Sequence, residues 1–573
     1  MAVHNAEIAE IFGRLAELLE IQGANPFRIR AYRKAAQTIE GLSHSVTSMV
    51  TEGADLSKLP GIGKDLASKI QEIVETGHLS LLDQVSSQLP GQLAELAKIP
   101  TLGPKRVKML YDTLGIQDLK GLAKAAQAGQ IRQLHGFGKK IEEKILAETD
   151  RRSTSEKRIK LHTAEEFAEP ILEFLKGIHG VQEAIVAGSY RRKKDTIGDL
   201  DILVSCQNGK PIMDRFVAYD EVKTVVSKGH TRATVVLQSD LQVDLRVVPE
   251  ESYGAALQYF TGSKAHNIAV RSLAIKKGLK INEYGVFRGE TRIAGRTEKE
   301  VYAQVGLPYV EPELRENWGE VEAGLHHALP KLVTINDIRG DLHVHSKASD
   351  GHFSIRDMAL AAQEKGYEYL AICDHSQRVT IAHGLDATRL AAQIKEIDRL
   401  NHTFKGFTIL KGAEVDILED GLLDLSDDLL QRLDLTVCAI HYKFNLPRAK
   451  QTERIIRAMD NPYFSILAHP TGRMLNEREP YEIDMEQIMA AALERGCYLE
   501  VNAQPVRLDL TDLHCKMAKD IGVKVAISTD AHRTTDLDFM RFGIGQARRG
   551  WLESGDILNT SSLNALKKKL IRS

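Results

Sequence analysis

The stretch Gly198-Asp199-Leu200-Asp201-Ile202-Leu203-Val204 decides how the middle of the chain folds. Its alternation of polar and apolar residues predicts a half-buried β-strand, in which Asp199 and Asp201, two positions apart, share one face. A second strand-like run, residues 241–248, carries Asp244 between apolar neighbours. Three carboxylates on adjacent strands repel one another unless cations neutralise them. The pattern therefore predicts a centre that holds two Mg²⁺ ions.

A turn predicted just before this strand favours a nucleotide site. Residues 184–192 begin as an apolar, strand-like run that reaches Gly188-Ser189 and then Arg192. Such a turn offers a backbone N–H and a hydroxyl to a triphosphate, and the arginine adds positive charge. An Asp-x-Asp pair alone is more typical of a surface strand. Because the turn precedes it, we interpret the Asp-x-Asp pair as part of a nucleotide site and not as part of a surface strand.

Further motifs lie downstream. Their order and spacing match those of a nucleotide-binding subdomain: first Tyr259-Phe260-Thr261-Gly262-Ser263, then Asn267 and Arg271, then Ile281-Asn282-Glu283-Tyr284. The region resembles a family X DNA polymerase, with a nucleotidyltransferase palm like that of polymerase beta. The resemblance implies addition of deoxynucleotides to a primer 3′ end. It implies catalytic, metal-binding roles for Asp199, Asp201 and Asp244; nucleotide contacts for Gly188, Ser189, Arg192, Gly198, Tyr259, Phe260, Gly262 and Asn267; and template contacts for Arg246 and Arg271.

The first 150 residues are predicted to be helical. Residues 6–19 and 27–39 have apolar positions every three or four residues. Three small-residue turns follow, Leu59-Pro60-Gly61-Ile62-Gly63-Lys64, Ile99-Pro100-Thr101-Leu102-Gly103-Pro104-Lys105 and Leu134-His135-Gly136-Phe137-Gly138-Lys139. Glycine lets a backbone approach a phosphate closely, and the next helix points its free N–H groups at it. The turns resemble helix-hairpin-helix elements, which implies DNA-backbone contacts at Gly61, Gly63, Gly103, Gly136 and Gly138.

Lys69 is a candidate lyase nucleophile. The amino-terminal region resembles the gap-binding domain of the same family, in which a lysine can form a Schiff base, and Lys69 matches that position. Positions where the family often has supporting lysines read Arg28 and Asp65, although Lys64 is near. A solvated helical lysine is therefore the alternative.

The carboxyl-terminal part carries histidine and acidic clusters, most of which follow short apolar runs such as residues 369–373 and 525–528. Such runs predict strand ends, where α/β barrels place their chemistry. The candidate ligands are His343, His345, Asp350, His375, Glu414, His441, His469, Asp530 and His532. Imidazole and carboxylate ligands suit Zn, Mn or Fe. Nine ligands indicate two or three metals, and clustered metals favour phosphoester cleavage.

This part resembles the PHP phosphoesterase domain, a distorted β/α barrel, and the nine ligands follow that family's order. Asp350 lies in a loop where some relatives have histidine. Arg473, four residues after His469, is a candidate phosphate contact, with a surface salt bridge as the alternative. Nearly the whole chain resembles the bacterial and archaeal form of family X with an attached PHP domain.

That resemblance implies a DNA repair enzyme that fills short gaps in base excision repair and trims 3′ ends as a 3′–5′ exonuclease, with AP endonuclease activity as a further possibility. It implies two Mg²⁺ or Mn²⁺ ions in the polymerase site and two to three Mn²⁺ or Zn²⁺ ions in the PHP site. The expected partners are gapped or nicked DNA, primer 3′ ends and dNTPs. Two alternatives stay open: a DNA-end binding module with an inactive polymerase centre, and a PHP domain that hydrolyses small phosphate esters.

Length and composition set broader limits. At 573 residues the chain exceeds one core and is expected to form several α and α/β domains. A formal charge of −2 gives no global attraction to nucleic acid, so DNA binding depends on local features. No membrane span or signal peptide is predicted, and a cytoplasmic monomer is expected. The predicted regions are a helical lyase-like domain (1–80), a helix-hairpin-helix subdomain (81–150), the palm (151–258), a nucleotide-binding subdomain (259–316), a linker (317–337) and the PHP domain (338–573).

Overall fold

The computed structural model describes residues 5–40, 46–51, 53–59, 61–88, 93, 96, 99, 102–154 and 158–572. The chain divides into two compact units, Met1–Arg158 and Ile159–Ser573. Within the described part of the chain, no helix combines the length and the apolarity needed to cross a bilayer. All five cysteines are buried and free.

The first unit is helical. Its α-helices are Asn5–Gln22, Pro26–Glu40, Val46–Thr51, Lys64–Thr76, Ser80–Gln88, Pro104–Leu114, Leu119–Gln127 and Lys139–Thr154. The helices predicted over 6–19 and 27–39 are confirmed, with ends extended by a few residues. Their apolar faces join one core, in which Phe12 packs edge-on against Tyr32 at a ring-centroid distance of 5.6 Å.

Each of the three predicted turns leads directly into a helix. Gly63 and Gly103 are the residues before Lys64–Thr76 and Pro104–Leu114, and both have extended backbone. Gly61 adopts φ +74°, which favours glycine. The apolar residue before or between the turn glycines, Ile62, Leu102 or Phe137, is buried in the common core. Pro60, Pro100 and Thr101 of the predicted turns lie outside the described residues.

The second unit begins with seven strands. They are β1 Ile159–Lys160, β2 Glu183–Val186, β3 Thr196–Ile197, β4 Asp199–Ser205, β5 Val222–Lys228, β6 Arg232–Leu237 and β7 Gln242–Val248. Five of them form a mixed sheet of order β2-β4-β7-β6-β5, and β1 pairs with β3. The helices are Leu161–Lys176, Gly188–Arg191 and Gly209–Phe216. Strands β4 and β7 match the predicted runs. The strand expected from residue 184 ends at Val186, because Gly188, at φ +58°, starts a single helical turn.

A smaller helical layer follows. It contains the helices Tyr253–Thr261, Lys264–Lys276, Glu298–Val305 and Glu320–Leu325 and a meander of β8 Lys280–Asn282, β9 Gly285–Arg288 and β10 Thr291–Ala294. The predicted linker, residues 317–337, includes the last of these helices. Its Glu320 is fully buried and accepts hydrogen bonds from the backbone N–H groups of Asn317 and Trp318.

The remainder is a parallel β/α structure. Its strands are β11 Gly340–Val344, β12 Tyr369–Ile372, β13 Thr408–Lys411, β14 Glu414–Asp416, β15 Val437–Ala439, β16 Ile466–Leu467, β17 Tyr498–Asn502 and β18 Val525–Ser528. Its helices are Ile355–Glu364, Ala387–Asn401, Asp427–Leu430, Arg448–Met459, Met485–Arg495, Asp512–Ile521, Met540–Arg549 and Leu563–Leu570.

These strands form a ring with two interruptions. Sheets β11-β12-β13 and β14-β15-β16-β17-β18 meet through two parallel bridges, His375 with Glu414 and Val344 with Ala531. The predicted distorted barrel is confirmed. Its Phe539 and Phe542 enter the hydrophobic core of the mixed sheet, so the two parts share buried surface.

Candidate active sites

Three carboxylates lie on the adjacent strands β4 and β7 of the mixed sheet and form what we call the carboxylate centre: Asp199, Asp201 and Asp244. Strands β4 and β7 run parallel with Asp201 directly opposite Asp244, and Asp199 lies two residues before Asp201. All three are half-buried. Burial, followed by the charges of Asp199 and Asp244, raises the pKa of Asp201 to about 7. This mutual repulsion fits a site for divalent cations, which would neutralise the cluster.

Two neighbours orient Asp244. The Thr234 hydroxyl donates to its Oδ1 at 2.6 Å, and the Gln242 amide donates to its Oδ2 at 2.7 Å. Thr234 pairs with Asp244 across β6 and β7. Sequence reasoning missed Thr234, because nothing in the strand pattern of β6 indicates which residue will face the aspartate.

The turn before β4 packs tightly on the carboxylate centre. A Cβ atom on Gly188 would lie 2.2 Å from Oδ2 of Asp201, so a side chain cannot fit there without moving the carboxylate. Ser189 follows in the same helical turn and is half-buried, and Gly198 immediately precedes β4. Arg192 donates to the Thr261 carbonyl at 2.5 Å and to Glu316 at 3.0 Å.

The predicted nucleotide-binding residues around Gly262 form one cluster. The Tyr259 and Phe260 rings meet edge-on at 5.1 Å, and the Arg246 guanidinium lies 4.9 Å from the Phe260 ring centroid. Asn267 is buried; its amide donates to the Tyr259 carbonyl at 2.7 Å and accepts from Gln258 at 2.7 Å. These bonds fix the aromatic turn. Arg271, one helical turn after Asn267, is half-buried.

Lys69 is held by a neighbour on its own helix. Its Nζ lies 2.5 Å from Oδ1 of Asp65, one turn earlier, and its side chain is 19% exposed. The partner in this ion pair, Asp65, stands at a position where relatives often have lysine. The ion pair gives Lys69 a partner on its own helix, and its side chain is less exposed than the alternative of a solvated helical lysine predicts.

The nine predicted metal ligands converge at the carboxyl ends of the barrel strands, and we call them the histidine centre. Three groups have ligand atoms within 4.8 Å of one another: His345, Asp350, His375 and His532; His343, His345 and Asp530; and His375, Glu414 and His441. His469 is outside these groups, but its Nε2 lies 3.0 Å from Oε1 of Glu414.

The contacts inside the histidine centre suit the binding of metal ions. The Nε2 atoms of His343 and His345 face each other at 3.1 Å, an arrangement that a shared cation would stabilise. Glu414 lies 2.8 Å from His375 and 3.2 Å from His441. Although burial opposes ionisation, the surrounding histidines hold the pKa of Glu414 well below its usual value. An ionised, buried carboxylate between imidazoles suits a bridging position between two cations.

Buried acids behind the histidine centre orient its ligands. Glu500 on β17 lies 2.7 Å from Nδ1 of His343 and accepts the backbone N–H of His469 at 2.8 Å. Asp416 contacts Nδ1 of His441 at 2.5 Å. Such outer contacts fix the ring orientation and leave the opposite nitrogen for a metal. Sequence reasoning did not single out Glu500, although an acid within the apolar strand Tyr498–Asn502 is a usable signal.

Two arginines near the histidine centre have different environments. Arg473 donates to the Arg507 carbonyl at 2.9 Å, to Asp195 at 3.0 Å and to the Leu508 carbonyl. All of its guanidinium nitrogens are therefore engaged by protein groups. Arg507, which the sequence did not single out, has a buried Nη1 atom without a hydrogen-bond partner in the described structure, and its Nε lies 4.0 Å from Asp530.

Together, the two centres define a nucleotidyltransferase fold joined to a metal-dependent phosphoesterase fold. Comparison with protein families agrees. The family described as DNA polymerase beta palm matches residues 158–268, DNA polymerase beta thumb matches 256–316, and the PHP domain matches 341–504. A helix-hairpin-helix domain matches 3–79, and a SAM-like helix-hairpin-helix tandem matches 93–151.

Whole-chain relatives identify the family. The chain is 40% identical to the DNA polymerase/3′-5′ exonuclease PolX of Bacillus subtilis (strain 168), over 100% of both chains. It is 28% identical to DNA polymerase lambda of Rattus norvegicus over 55% of this chain and 56% of that protein. A probable phosphatase of Thermoanaerobacter sp. (strain X514) is 29% identical over 38% of this chain and 89% of its own. The chain belongs to the PolX family, and the resemblance predicted from its motifs is confirmed.

Proposed function

We propose that this PolX family member is a DNA-directed DNA polymerase that fills short gaps during base excision repair and processes 3′ ends as a 3′–5′ exonuclease. The observation that carries the proposal is the presence of two complete centres in one folded unit. The carboxylate centre suits nucleotidyl transfer, and the histidine centre suits phosphoester hydrolysis. The match to PolX over the full length supports the combination.

The chain's own residues have separable roles in nucleotidyl transfer. Asp244, held by Thr234 and Gln242, would face the primer 3′ hydroxyl, while the turn at Ser189 and Arg192 would orient the triphosphate. Positioning supplies much of the catalysis in such transfers. Divalent cations bound by the three aspartates would neutralise developing charge. We propose Mg²⁺ or Mn²⁺ for this centre.

In the histidine centre, we propose that Arg507 holds the scissile phosphate, since its buried Nη1 has a donor to offer. Arg473 is a weaker candidate, because a phosphate would have to displace its present acceptors. Two to three Mn²⁺ or Zn²⁺ ions are proposed here, and they would supply Lewis acidity when bound. AP endonuclease activity of the same centre, monomeric action and a cytoplasmic location remain predictions from the sequence.

The natural substrates would be gapped or nicked DNA with a free primer 3′ end, together with dNTPs. Helices that begin directly after glycine turns, as at Gly63 and Gly103, support grip on the sugar-phosphate backbone without base readout. A direct test measures incorporation on a 5′-phosphorylated one-nucleotide gap and on an open primer-template. Preference for the gap is expected, and equal rates would argue against gap filling.

A second assay addresses the alternative that the histidine centre hydrolyses small phosphate esters, which the similarity to a probable phosphatase raises. Turnover of a 3′-labelled oligonucleotide and of a sugar phosphate is compared under the same Mn²⁺ concentration. Preference for the oligonucleotide supports the exonuclease, whereas preference for the sugar phosphate supports the alternative.

A further inference from the structure

Residues 188–195, here called the triphosphate turn, are held in place from the PHP side of the molecule. This segment carries Ser189 and Arg192 and leads through β3 to Asp199. Two arginines that lie far away in the sequence, Arg473 and Arg549, donate hydrogen bonds to it.

The first contact joins the end of the triphosphate turn to Arg473 of the barrel. Nη1 of Arg473 lies 3.0 Å from Oδ2 of Asp195, and the arginine side chain is 11% exposed. The same arginine donates to the carbonyls of Arg507 and Leu508, so its position is fixed by the barrel. Asp195 in turn accepts the backbone N–H of Leu161 through its carbonyl at 3.0 Å. Asp195 is thus held at two points, its carboxylate by Arg473 and its backbone carbonyl by Leu161.

The second contact fixes Arg192. Arg549, whose side chain is 1% exposed, donates to the Arg192 carbonyl at 2.8 Å and to Glu316 at 3.0 Å. It is itself oriented by Asp512 at 2.9 Å. Oε1 of Glu316 also accepts from Arg192, so one carboxylate oxygen joins the two arginines. Arg549 therefore fixes both the backbone and the side chain of Arg192.

Such contacts matter because a buried, charge-assisted hydrogen bond holds its partners more firmly than an exposed ion pair does. We propose that Arg473 and Arg549 are positioning residues for nucleotidyl transfer. Through Asp195 and Arg192 they hold the triphosphate turn in its binding geometry. The PHP domain is therefore a structural part of the nucleotide site. The inference rests on the proposed polymerase function and deepens it.

The test uses the full-length protein with three substitutions that leave both metal centres intact: Asp195→Asn, Asp195→Glu and Arg549→Lys. Asp195→Asn and Arg549→Lys are expected to raise KM for the dNTP about ten- to a hundredfold, because small displacements of positioning groups carry large penalties. Asp195→Glu keeps the carboxylate and should recover most of the loss. Nuclease activity should stay within about twofold of wild type.

Arg548→Met is the matched control. Arg548 lies on the same helix as Arg549 and contacts the smaller helical layer through Glu313 at 2.7 Å, and its hydrogen bonds and ion pairs in the described part of the chain are made outside the triphosphate turn. Its substitution should leave KM for the dNTP unchanged.

If Asp195 and Arg549 acted only in folding, their substitution would lower polymerase and nuclease activities in parallel and would lower the melting temperature, which would overturn the proposal.

Unchanged KM in folded Asp195→Asn and Arg549→Lys would also overturn it. If Arg549→Lys does not fold, Asp195→Asn and Asp195→Glu decide, since Asp195 is 28% exposed and its loss leaves the carbonyl contacts of Arg473 intact. Absence of incorporation by the wild-type protein would instead refute the proposed polymerase function.

Discussion

Gly188→Ala is expected to disable nucleotidyl transfer while leaving hydrolysis intact. The added Cβ would lie 2.2 Å from Oδ2 of Asp201, about 1.2 Å short of ordinary contact at 3.4 Å. The neighbour is a carboxylate of the carboxylate centre, for which we propose metal binding, so the clash can be relieved only by moving the aspartate. A shift of about 1 Å in a catalytic group can reduce the rate roughly a hundredfold.

The same substitution carries a backbone cost. Gly188 has φ +58°, and a left-handed conformation costs an L-residue about 1–2 kcal/mol. The protein should therefore melt a few degrees lower but still fold. The assay is single-nucleotide incorporation on a gapped duplex, with nuclease activity of the same preparation as the internal standard.

Gly177→Ala provides the control. Gly177 ends the helix Leu161–Lys176 with right-handed backbone, and a Cβ there would meet its neighbours at 3.5 and 3.6 Å, which is ordinary contact. It should retain incorporation. If folded Gly188→Ala incorporated nucleotides at a rate within about threefold of wild type, a side chain at position 188 would not displace the Asp201 carboxylate as proposed.

Three further predictions concern the other sites. Glu500→Gln should weaken Mn²⁺ activation of the nuclease about 10- to 100-fold, because the amide no longer favours the ring orientation of His343; unchanged Mn²⁺ dependence in a titration would contradict this role. Arg507→Met should lower nuclease kcat/KM about a hundredfold with incorporation unaffected, as expected for loss of a charged phosphate contact; retention of nuclease activity would exclude that contact. Lys69→Ala should not change borohydride trapping on an abasic substrate, because Asp65 already pairs with the lysine; trapping that depends on Lys69 would restore the lyase interpretation.

Much of the architecture follows from local sequence patterns. Strand β18 matches the predicted run 525–528, and strand β12, Tyr369–Ile372, lies within the predicted run 369–373. The nine residues of the histidine centre could be selected because most of their clusters follow an apolar run, and parallel strands bring their carboxyl ends together. The two-residue period of a strand is enough to predict that Asp199 and Asp201 share one face.

Other features depend on contacts that no local pattern encodes. The single helical turn at Gly188 arises from close packing on Asp201, whereas the preceding apolar run favours a strand. The spacing from His469 offers Arg473 either a phosphate contact or a salt bridge, and only the fold brings it to Asp195, 278 positions away in the sequence. Arg507 could not be recognised, because the lack of a hydrogen-bond partner for its Nη1 among the described residues is a property of the folded barrel.

The most direct test of two independent active centres is a single gel assay on a 5′-phosphorylated gapped duplex, with and without dNTPs, using wild type, Asp199→Ala and His343→Ala. We expect extension to disappear only in Asp199→Ala and degradation from the 3′ end to disappear only in His343→Ala. Degradation that survives in folded His343→Ala, or extension that survives in folded Asp199→Ala, would show that the two centres do not act as proposed.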